Sequence, residues 1–313
     1  MIKVTILGSS GKQPLPNRYL ASAAIEYQGD IAIIDAGEGT QVAASAAGIK
    51  LRKVSKIFLT HGHADHVLGL GSLLLGIANA ERTDPVQIYA TKACSNVIYG
   101  FLRMIPKLPF DVKVTTLVGQ EMAFEINRNF KVIAFKVKHS TECYGFKFAL
   151  KRNGKFNAEL AEKFKVPQEC WASLQCGKPT TLNGTTYVPS MIMDSEREGL
   201  SLVYCTDTRY CPELIQHAKN ADLLITEGMY GDAAMVCNNN EDKHMTFAEA
   251  ADVADNANVK ELWLTHFSPV LVRPEAFLAN ATNIFPNTKL GYCGLTTELM
   301  YAKENTEDTV SKE

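Results

Sequence analysis

Three histidines and one aspartate lie within six residues of this chain. His61, His63, Asp65 and His66 occur in the segment Thr-His-Gly-His-Ala-Asp-His, directly after a compact apolar strand predicted at 56–60. Imidazole nitrogens and carboxylate oxygens are the donors that bind zinc and related metals. Because side chains alternate along an extended segment, His61 and His63 face one side, and Asp65 and His66 follow after a turn. The segment therefore predicts a metal centre with room for a second ion.

Further candidate ligands come directly after other predicted strands. His139, Asp207 and His266 each follow an apolar segment of this kind. Ligand sites in α/β proteins commonly form where strand ends meet at one edge of a sheet. We therefore expect these three side chains to join the first cluster. His217 lies on the polar face of a predicted helix and is expected at the surface.

The elements that would position these residues alternate between strands and helices. Strands are predicted at 2–8, 23–27, 31–35, 56–60, 86–90, 130–137, 144–150, 201–205, 223–226 and 261–265. Helices are predicted at 39–47, 68–80, 91–104, 212–219, 246–256 and 274–284. Because several strands are joined as hairpins, the pattern indicates mixed α/β structure rather than a doubly wound parallel sheet.

Length and composition are those of a globular protein with one large domain or two ordinary ones. The 313 residues are 46% hydrophobic and 21% charged, which excludes disordered, collagen-like and coiled-coil chains. A formal net charge of -2 excludes a strongly basic nucleic-acid binder, although a local basic patch is compatible with it. We predict a single domain over 1–302, with an arm-like insertion without a core of its own at about 151–199 and a polar tail at 303–313.

The chain is predicted to be cytoplasmic. Its first residues read as a strand and not as a secretory signal. The longest apolar stretch covers 14 residues, from Val67 to Ala80, whereas a membrane span needs roughly 20. None of the eight cysteines forms a C-x-x-C pair, so reduced and mostly buried thiols are expected.

The order His-x-His-x-Asp-His, strand-end His, strand-end Asp and strand-end His resembles the ligand set of metallo-β-lactamase-fold hydrolases. The resemblance implies a four-layer αββα sandwich that binds two metal ions per chain. Two zinc ions are expected first, with manganese or iron as alternatives. Asp207 would bridge the two ions. The other six ligands would divide equally: His61, His63 and His139 for one ion, and Asp65, His66 and His266 for the other.

Other segments resemble ribonuclease Z, the tRNA 3′-processing endonuclease. They include Asp-Ala-Gly-Glu-Gly-Thr-Gln at 35–41 and Lys-His-Met-Thr at 243–246, before a predicted helix. The resemblance implies that His244 is a general acid for the leaving oxygen and that Glu227 orients its ring. Asp65 would both bind metal and accept the proton of the attacking water. Asp35 is expected to support a ligand histidine from behind.

The same resemblance implies precursor tRNA as the substrate and a homodimer in which the arm of one subunit serves the site of the other. Ser10, Arg18, Lys151 and Arg152 are the expected substrate contacts. Residues 145–165 carry six basic side chains, a pattern typical both of an RNA-backbone contact and of a solvated arm.

Three substrate-side segments differ from the ribonuclease Z pattern. Residues 14–19 read Pro-Leu-Pro-Asn-Arg-Tyr in place of Pro-x-Lys-x-Arg-Asn, the arm lacks a Gly-Pro pair, and no cation follows His266 before Arg273. Each difference removes a candidate phosphate or sugar contact. The alternative function is therefore hydrolysis of a small phosphodiester, a cyclic nucleotide or an aryl phosphate or sulfate. A metal-stabilised RNA-binding module is disfavoured because His244 and Glu227 accompany the full ligand set.

Overall fold

The computed structural model describes residues 1–127, 129–236 and 243–301, which form two seven-stranded sheets and one separate hairpin. The tail predicted at 303–313 lies outside these residues. Within the described ranges, no helix is both long and apolar enough to cross a membrane.

The first sheet pairs hairpin strands with parallel ones. Its strands are β1 (Ile2–Gly8), β2 (Ser22–Tyr27), β3 (Asp30–Ile34), β4 (Val54–Phe58), β5 (Val86–Ala90), β6 (Val112–Thr116) and β16 (Thr296–Leu299). The order is β16-β1-β2-β3-β4-β5-β6, antiparallel from β16 to β3 and parallel from β3 to β6.

The second sheet has the same mixed character. Its strands are β7 (Glu121–Asn127), β8 (Phe130–Lys136), β9 (Tyr144–Arg152), β12 (Arg197–Cys205), β13 (Leu223–Glu227), β14 (Leu262–Thr265) and β15 (Thr288–Leu290). The order is β15-β14-β13-β12-β9-β8-β7. Neighbouring strands from β15 to β12 are parallel, and neighbouring strands from β12 to β7 are antiparallel. The separate hairpin is formed by β10 (Thr180–Leu182) and β11 (Thr185–Tyr187).

Nine α-helices are present in the described part of the chain. They are α1 (Thr40–Ala46), α2 (Ala64–Val67), α3 (Leu70–Asn79), α4 (Lys92–Met104), α5 (Ala158–Lys163), α6 (Gln168–Gln175), α7 (Pro212–Ala218), α8 (Phe247–Asn256) and α9 (Ala279–Thr282). The start of α8 is specified locally, because Thr246 and Glu249 form a reciprocal capping box. The helix predicted at 274–284 divides into a 3-10 turn, Pro274–Phe277, and the short α9.

Three apolar clusters hold the layers together and confirm the four-layer αββα sandwich. Ile6 and Val4 of the first sheet pack against Phe146 and Trp263 of the second, so the two sheets share one core. A second cluster joins the outer face of the first sheet to α1, α3 and α4, and a third joins the second sheet to α7, α8 and α9. Each fully buried large apolar side chain contributes about 1.5–3 kcal/mol to this packing.

The insertion between β9 and β12 differs from the predicted arm in one respect. It contains α5, α6 and the hairpin, and it has a small apolar cluster of its own built on Ala161, Val166, Cys170, Leu174 and Ile192. Its helices span six and eight residues, too few to produce a clear apolar periodicity in the sequence. The arm therefore has a small apolar cluster that the sequence pattern did not indicate.

Candidate metal centre

The predicted ligands lie together at one edge of the sandwich. They follow the carboxyl ends of β4, β8, β12 and β14, which open on the same edge because the hairpins reverse the chain between them. His61, His66 and His266 are at most 1% exposed, whereas His63 is exposed. The fold therefore gathers residues up to 205 positions apart, from His61 to His266, into one cluster.

One half of the cluster contains His61, His63, His139 and Asp207, each with a ligand atom within 4.8 Å of the others. Nδ1 of His63 lies 2.9 Å from Nε2 of His61 and 3.2 Å from Nε2 of His139. Oδ1 of Asp207 is 3.9 Å from Nε2 of both His61 and His139.

The other half contains Asp65, His66 and His266. The Nε2 atoms of His66 and His266 are 3.2 Å apart, and Oδ2 of Asp65 lies 3.6 and 3.5 Å from them. Oδ2 of Asp207 is 3.1 Å from the His66 nitrogen and 3.3 Å from the His266 nitrogen. The two oxygens of Asp207 thus face different halves of the cluster.

This arrangement fits metal ions better than it fits hydrogen bonds alone. A neutral imidazole has one N–H, so several converging ring nitrogens cannot all satisfy one another. Burial lowers the pKa of His139 to about 4 and that of His61 well below its usual value, which leaves both lone pairs available at pH 7. Tetrahedral zinc with bonds of about 2.0–2.1 Å would separate its nitrogen ligands by about 3.3 Å. The cluster therefore has the donors and spacing of a metal centre.

Asp35 supports this centre from below, as expected. It lies just after β3 and is fully buried, and its Oδ2 is 2.8 Å from Nδ1 of His66. Its Oδ1 accepts hydrogen bonds from the backbone N–H and the hydroxyl of Thr60. A carboxylate at Nδ1 keeps the proton on that nitrogen, so Nε2 of His66 presents its lone pair to the cluster. Sequence reasoning did not single out Thr60.

Replacing Asp35 with asparagine is expected to weaken metal binding by about 10–100-fold, the usual cost of losing a charged partner behind a ligand histidine. Metal affinity would be measured by competition with a chelator, with circular dichroism as the check on folding. Ser22→Ala is a matched control, because the Ser22 hydroxyl donates to the backbone carbonyl of Asp35 and its loss leaves the Asp35 carboxylate in place. An unchanged affinity in the Asp35 variant would contradict the supporting role.

His244 and Glu227 form a separate pair beside the cluster. His244 lies two residues before Thr246, the residue that caps α8, and Glu227 ends β13. Nδ1 of His244 is 2.7 Å from Oε2 of the fully buried Glu227, whose Oε1 accepts from the amide of Thr208. Burial disfavours a charge on His244, but the Glu227 carboxylate outweighs it and raises the pKa to about 9. The imidazole is therefore protonated at pH 7 and able to donate a proton.

Two cations that sequence reasoning did not select hold this pair and its surroundings. Arg209 donates to the backbone carbonyl of His244 and forms an ion pair with Glu249 of α8. Lys243 donates from Nζ to the backbone carbonyl of His139, which connects the start of α8 to the strand-end histidine. The position of Arg209 two residues after Asp207 was a local signal that could have indicated it.

Four residues were expected to contact the substrate, and the structure does not bring their side chains to the metal cluster. Ser10 is buried and donates to the carbonyl of Gln13, and the buried Arg18 donates to the carbonyls of Leu271 and Ser268. Arg18 thus holds the loop that follows His266.

Lys151 and Arg152 lie at the far end of β9, roughly 25 Å from its start near the cluster. Lys151 forms an ion pair with the exposed Glu196, and the Arg152 guanidinium lies over the ring of Tyr301. The sequence put them directly after the strand predicted at 144–150, but it did not reveal that this end of the strand points away from the cluster. His217, expected at the surface, is half-buried and stacks on Phe135.

A cavity of about 100 Å³ opens directly on the cluster. It is lined by Lys12, His63, Asp65, His139, Ser140, Asp207, His244 and His266. That volume holds about three waters at about 30 Å³ each, or one phosphoryl group in their place. The cavity therefore brings a bound anion against both halves of the cluster and against His244.

Known proteins resemble this chain along almost its whole length. Residues 2–277 match the family model described as Anti-Pycsar protein Apyc1. Ribonuclease Z of Agathobacter rectalis is 41% identical over 304 residues, which are 97% of this chain and 100% of the relative. Ribonuclease Z of Lachnoclostridium phytofermentans is 41% identical over 93% of this chain and 95% of the relative.

Two solved structures share the fold at lower identity. The short form of human tRNase Z superposes with a TM-score of 0.70 and 21% identity, over 96% of this chain and 100% of that one. The metallo-β-lactamase fold protein YhfI from Bacillus subtilis gives a TM-score of 0.67 and 19% identity, over 95% and 98%. These likenesses agree with the αββα sandwich as a metallo-β-lactamase fold.

Proposed function

We propose a function on the premise that the chain belongs to the ribonuclease Z family and also to the family described as Anti-Pycsar protein Apyc1. The protein is a metal-dependent endonuclease that removes the 3′ trailer of precursor tRNA. The observation that carries the proposal is the pair of His244 and buried Glu227, 2.7 Å apart, beside a complete set of metal ligands. Such a pair supplies a proton donor, which a poor alkoxide leaving group requires.

Two divalent cations, zinc in preference to manganese or iron, would be held by the two halves of the cluster with Asp207 between them. Bound there, they would supply positive charge that attracts the phosphodiester and makes an attacking water more acidic. The histidine-rich donor set is the reason for preferring zinc.

The protein would act in the cytoplasm.

The side chains of the chain itself would move the protons. Asp65, whose Oδ2 accepts a hydrogen bond from the Lys12 amide, would accept the proton of the attacking water. His244 would donate its Nε2 proton to the leaving oxygen. Glu227, bound to Nδ1, would keep the ring oriented with Nε2 towards the cavity. The low exposure of His244, 3%, keeps bulk water away from this donor.

We infer a homodimer from the position of the arm. The arm leaves the second sheet at Arg152 and returns at Arg197, at the end of β9 and β12 opposite to the metal cluster. An arm that starts there is badly placed to reach its own site. Its four lysines, Lys155, Lys163, Lys165 and Lys178, would instead contact tRNA bound at the site of the partner subunit.

Incubating the zinc-loaded protein with precursor tRNA that carries a 3′ trailer is expected to give a single new 3′ end beside the acceptor stem. Mapping that end by sequencing the product is the measurement. An Asp207→Ala preparation purified in parallel controls for a contaminating nuclease. An uncut trailer, from protein that still hydrolyses bis-(p-nitrophenyl) phosphate, would contradict the tRNA substrate.

The second candidate is hydrolysis of a small phosphodiester, such as a cyclic nucleotide, or of an aryl phosphate or sulfate. It is favoured by one specific observation: Arg18, the expected contact for the tRNA end, is bound to backbone carbonyls and does not face the cavity. The same experiment separates the candidates, because a small substrate would be cleaved by protein that leaves the trailer intact.

A further inference from the structure

Lys12 stands at the cavity next to both halves of the metal cluster. Its amide donates to Oδ2 of Asp65 at 2.7 Å, and the preceding Gly11 donates to the carbonyl of Phe267 at 2.9 Å. Gly11 packs directly on His266, since a side chain carbon there would lie 2.7 Å from the imidazole ring. The backbone of Lys12 is therefore positioned by Asp65 on one side and by the strand-end loop of His266 on the other.

The conformation of Lys12 is one that glycine adopts more readily. Its φ is +63°, in the left-handed region that a side chain makes unfavourable. A glycine at this position would retain the hydrogen bond from the backbone amide to Asp65. The chain nevertheless carries a lysine here, and a residue kept in a strained conformation indicates that its side chain has a role.

Lys12 is the one lysine or arginine among the described residues that line the cavity, where the protonated His244 is the other positive charge. The other lining residues are four histidines, two aspartates and a serine. Lys12 and His244 line the same cavity, so an anion held there would lie within reach of both.

We propose that Lys12 is a specificity-determining residue whose ammonium binds a non-bridging oxygen of the substrate phosphate and selects anionic esters over neutral ones. The inference rests on the proposed function, because it takes a phosphate ester as the substrate. A charge-assisted hydrogen bond of this kind holds the ester and the phosphate product alike. Lys12 therefore acts on binding more than on the chemical step.

The test uses Lys12→Gly, which removes the ammonium, keeps the amide that reaches Asp65 and suits the left-handed backbone. Affinity for inorganic phosphate would be measured by calorimetry on the zinc-loaded protein, together with its metal content. We expect the glycine variant to bind phosphate about tenfold more weakly or worse, the effect of losing one hydrogen bond between charged groups. Lys12→Arg should recover most of the affinity, and both variants should keep the wild-type metal content.

Lys53→Gly is the control for the loss of a lysine charge. Lys53 is exposed and lies just before β4, at the end of that strand opposite to His61, so the substitution removes an ammonium away from the cavity. Wild-type phosphate affinity in the Lys12 glycine variant, an equal loss in the Lys53 variant, or loss of metal from the Lys12 variant would each overturn the proposal. The proposed function fails separately: wild-type protein that binds phosphate through Lys12 yet leaves precursor tRNA uncut would exclude the tRNA substrate and keep this role of Lys12.

Discussion

Replacing His244 with alanine is expected to slow cleavage of precursor tRNA by about 10²–10⁴-fold, the usual contribution of a general acid. The reason is chemical: the ribose oxygen leaves as a strongly basic alkoxide unless it is protonated as the bond breaks. The substitution removes the proposed proton donor and leaves the seven predicted metal ligands in place. Single-turnover rates on trailer-bearing tRNA would measure the effect.

The matched measurement is hydrolysis of bis-(p-nitrophenyl) phosphate by the same variant. Its p-nitrophenolate leaves without protonation, so the rate should fall far less than the rate on RNA. Metal content should stay at the wild-type level. Equal losses on both substrates would contradict the acid role, and so would wild-type rates on both.

Glu227→Gln tests the origin of the proton affinity of His244. The Glu227 carboxylate outweighs burial and raises the pKa of His244 to about 9, so the donor is charged below that pH and loses its proton above it. Removing the carboxylate charge lowers the pKa, so the decline of cleavage rate on the alkaline side should move to lower pH. A pH–rate profile that keeps its alkaline limb in place would show that Glu227 does not control His244.

Asp207→Ala is expected to abolish measurable cleavage together with metal binding. The side chain is 2% exposed and its two oxygens face different halves of the cluster, at 3.1–3.9 Å from four of the predicted ligand histidines. Loss of a partner behind a ligand already costs about 10–100-fold in metal affinity, so loss of a shared ligand should cost more. Metal analysis after gel filtration and the rise of Tm on adding zinc would both report it, because a ligand that binds only the folded state stabilises it.

Asp222→Ala is the control for the loss of a carboxylate from the same sheet. Asp222 accepts a hydrogen bond from the amide of Ser201 and pairs with Lys260 at the opposite end of the strands. The variant should bind metal and cleave RNA normally. If Asp207→Ala protein retained two ions and cleaved at the wild-type rate, the assignment of Asp207 to the centre would be wrong.

Local patterns in the sequence were sufficient for the centre and for most of the strands that carry it. The spacing of His61, His63, Asp65 and His66 is local, and three of the predicted strands that precede ligands, ending near His139, Asp207 and His266, are short and wholly or largely buried. Such strands appear in the sequence as apolar runs because both of their faces are covered. The helix that follows His244 was equally visible, since its capping box lies within four residues.

The edge strands of the sheets and the small apolar cluster of the arm could not be predicted from the sequence in the same way. β6 and β7 form the outer strands of the two sheets, where half of the side chains meet solvent and the apolar signal is diluted. The arm builds its core from residues between Ala161 and Ile192, spread over short elements. These features depend on what packs beside each segment.

The sequence by itself determined the donor residues and their order, and it predicted the pair of His244 and Glu227. Only the tertiary structure decided which side chains face the cavity: it directs Arg18 to the backbone of a loop, leaves Lys151 and Arg152 at the far end of β9, and brings Lys12 to Asp65. The physical reason is that residue type and spacing specify chemistry locally. Proximity between residues far apart in the chain is set by strand order and by the packing of the two sheets.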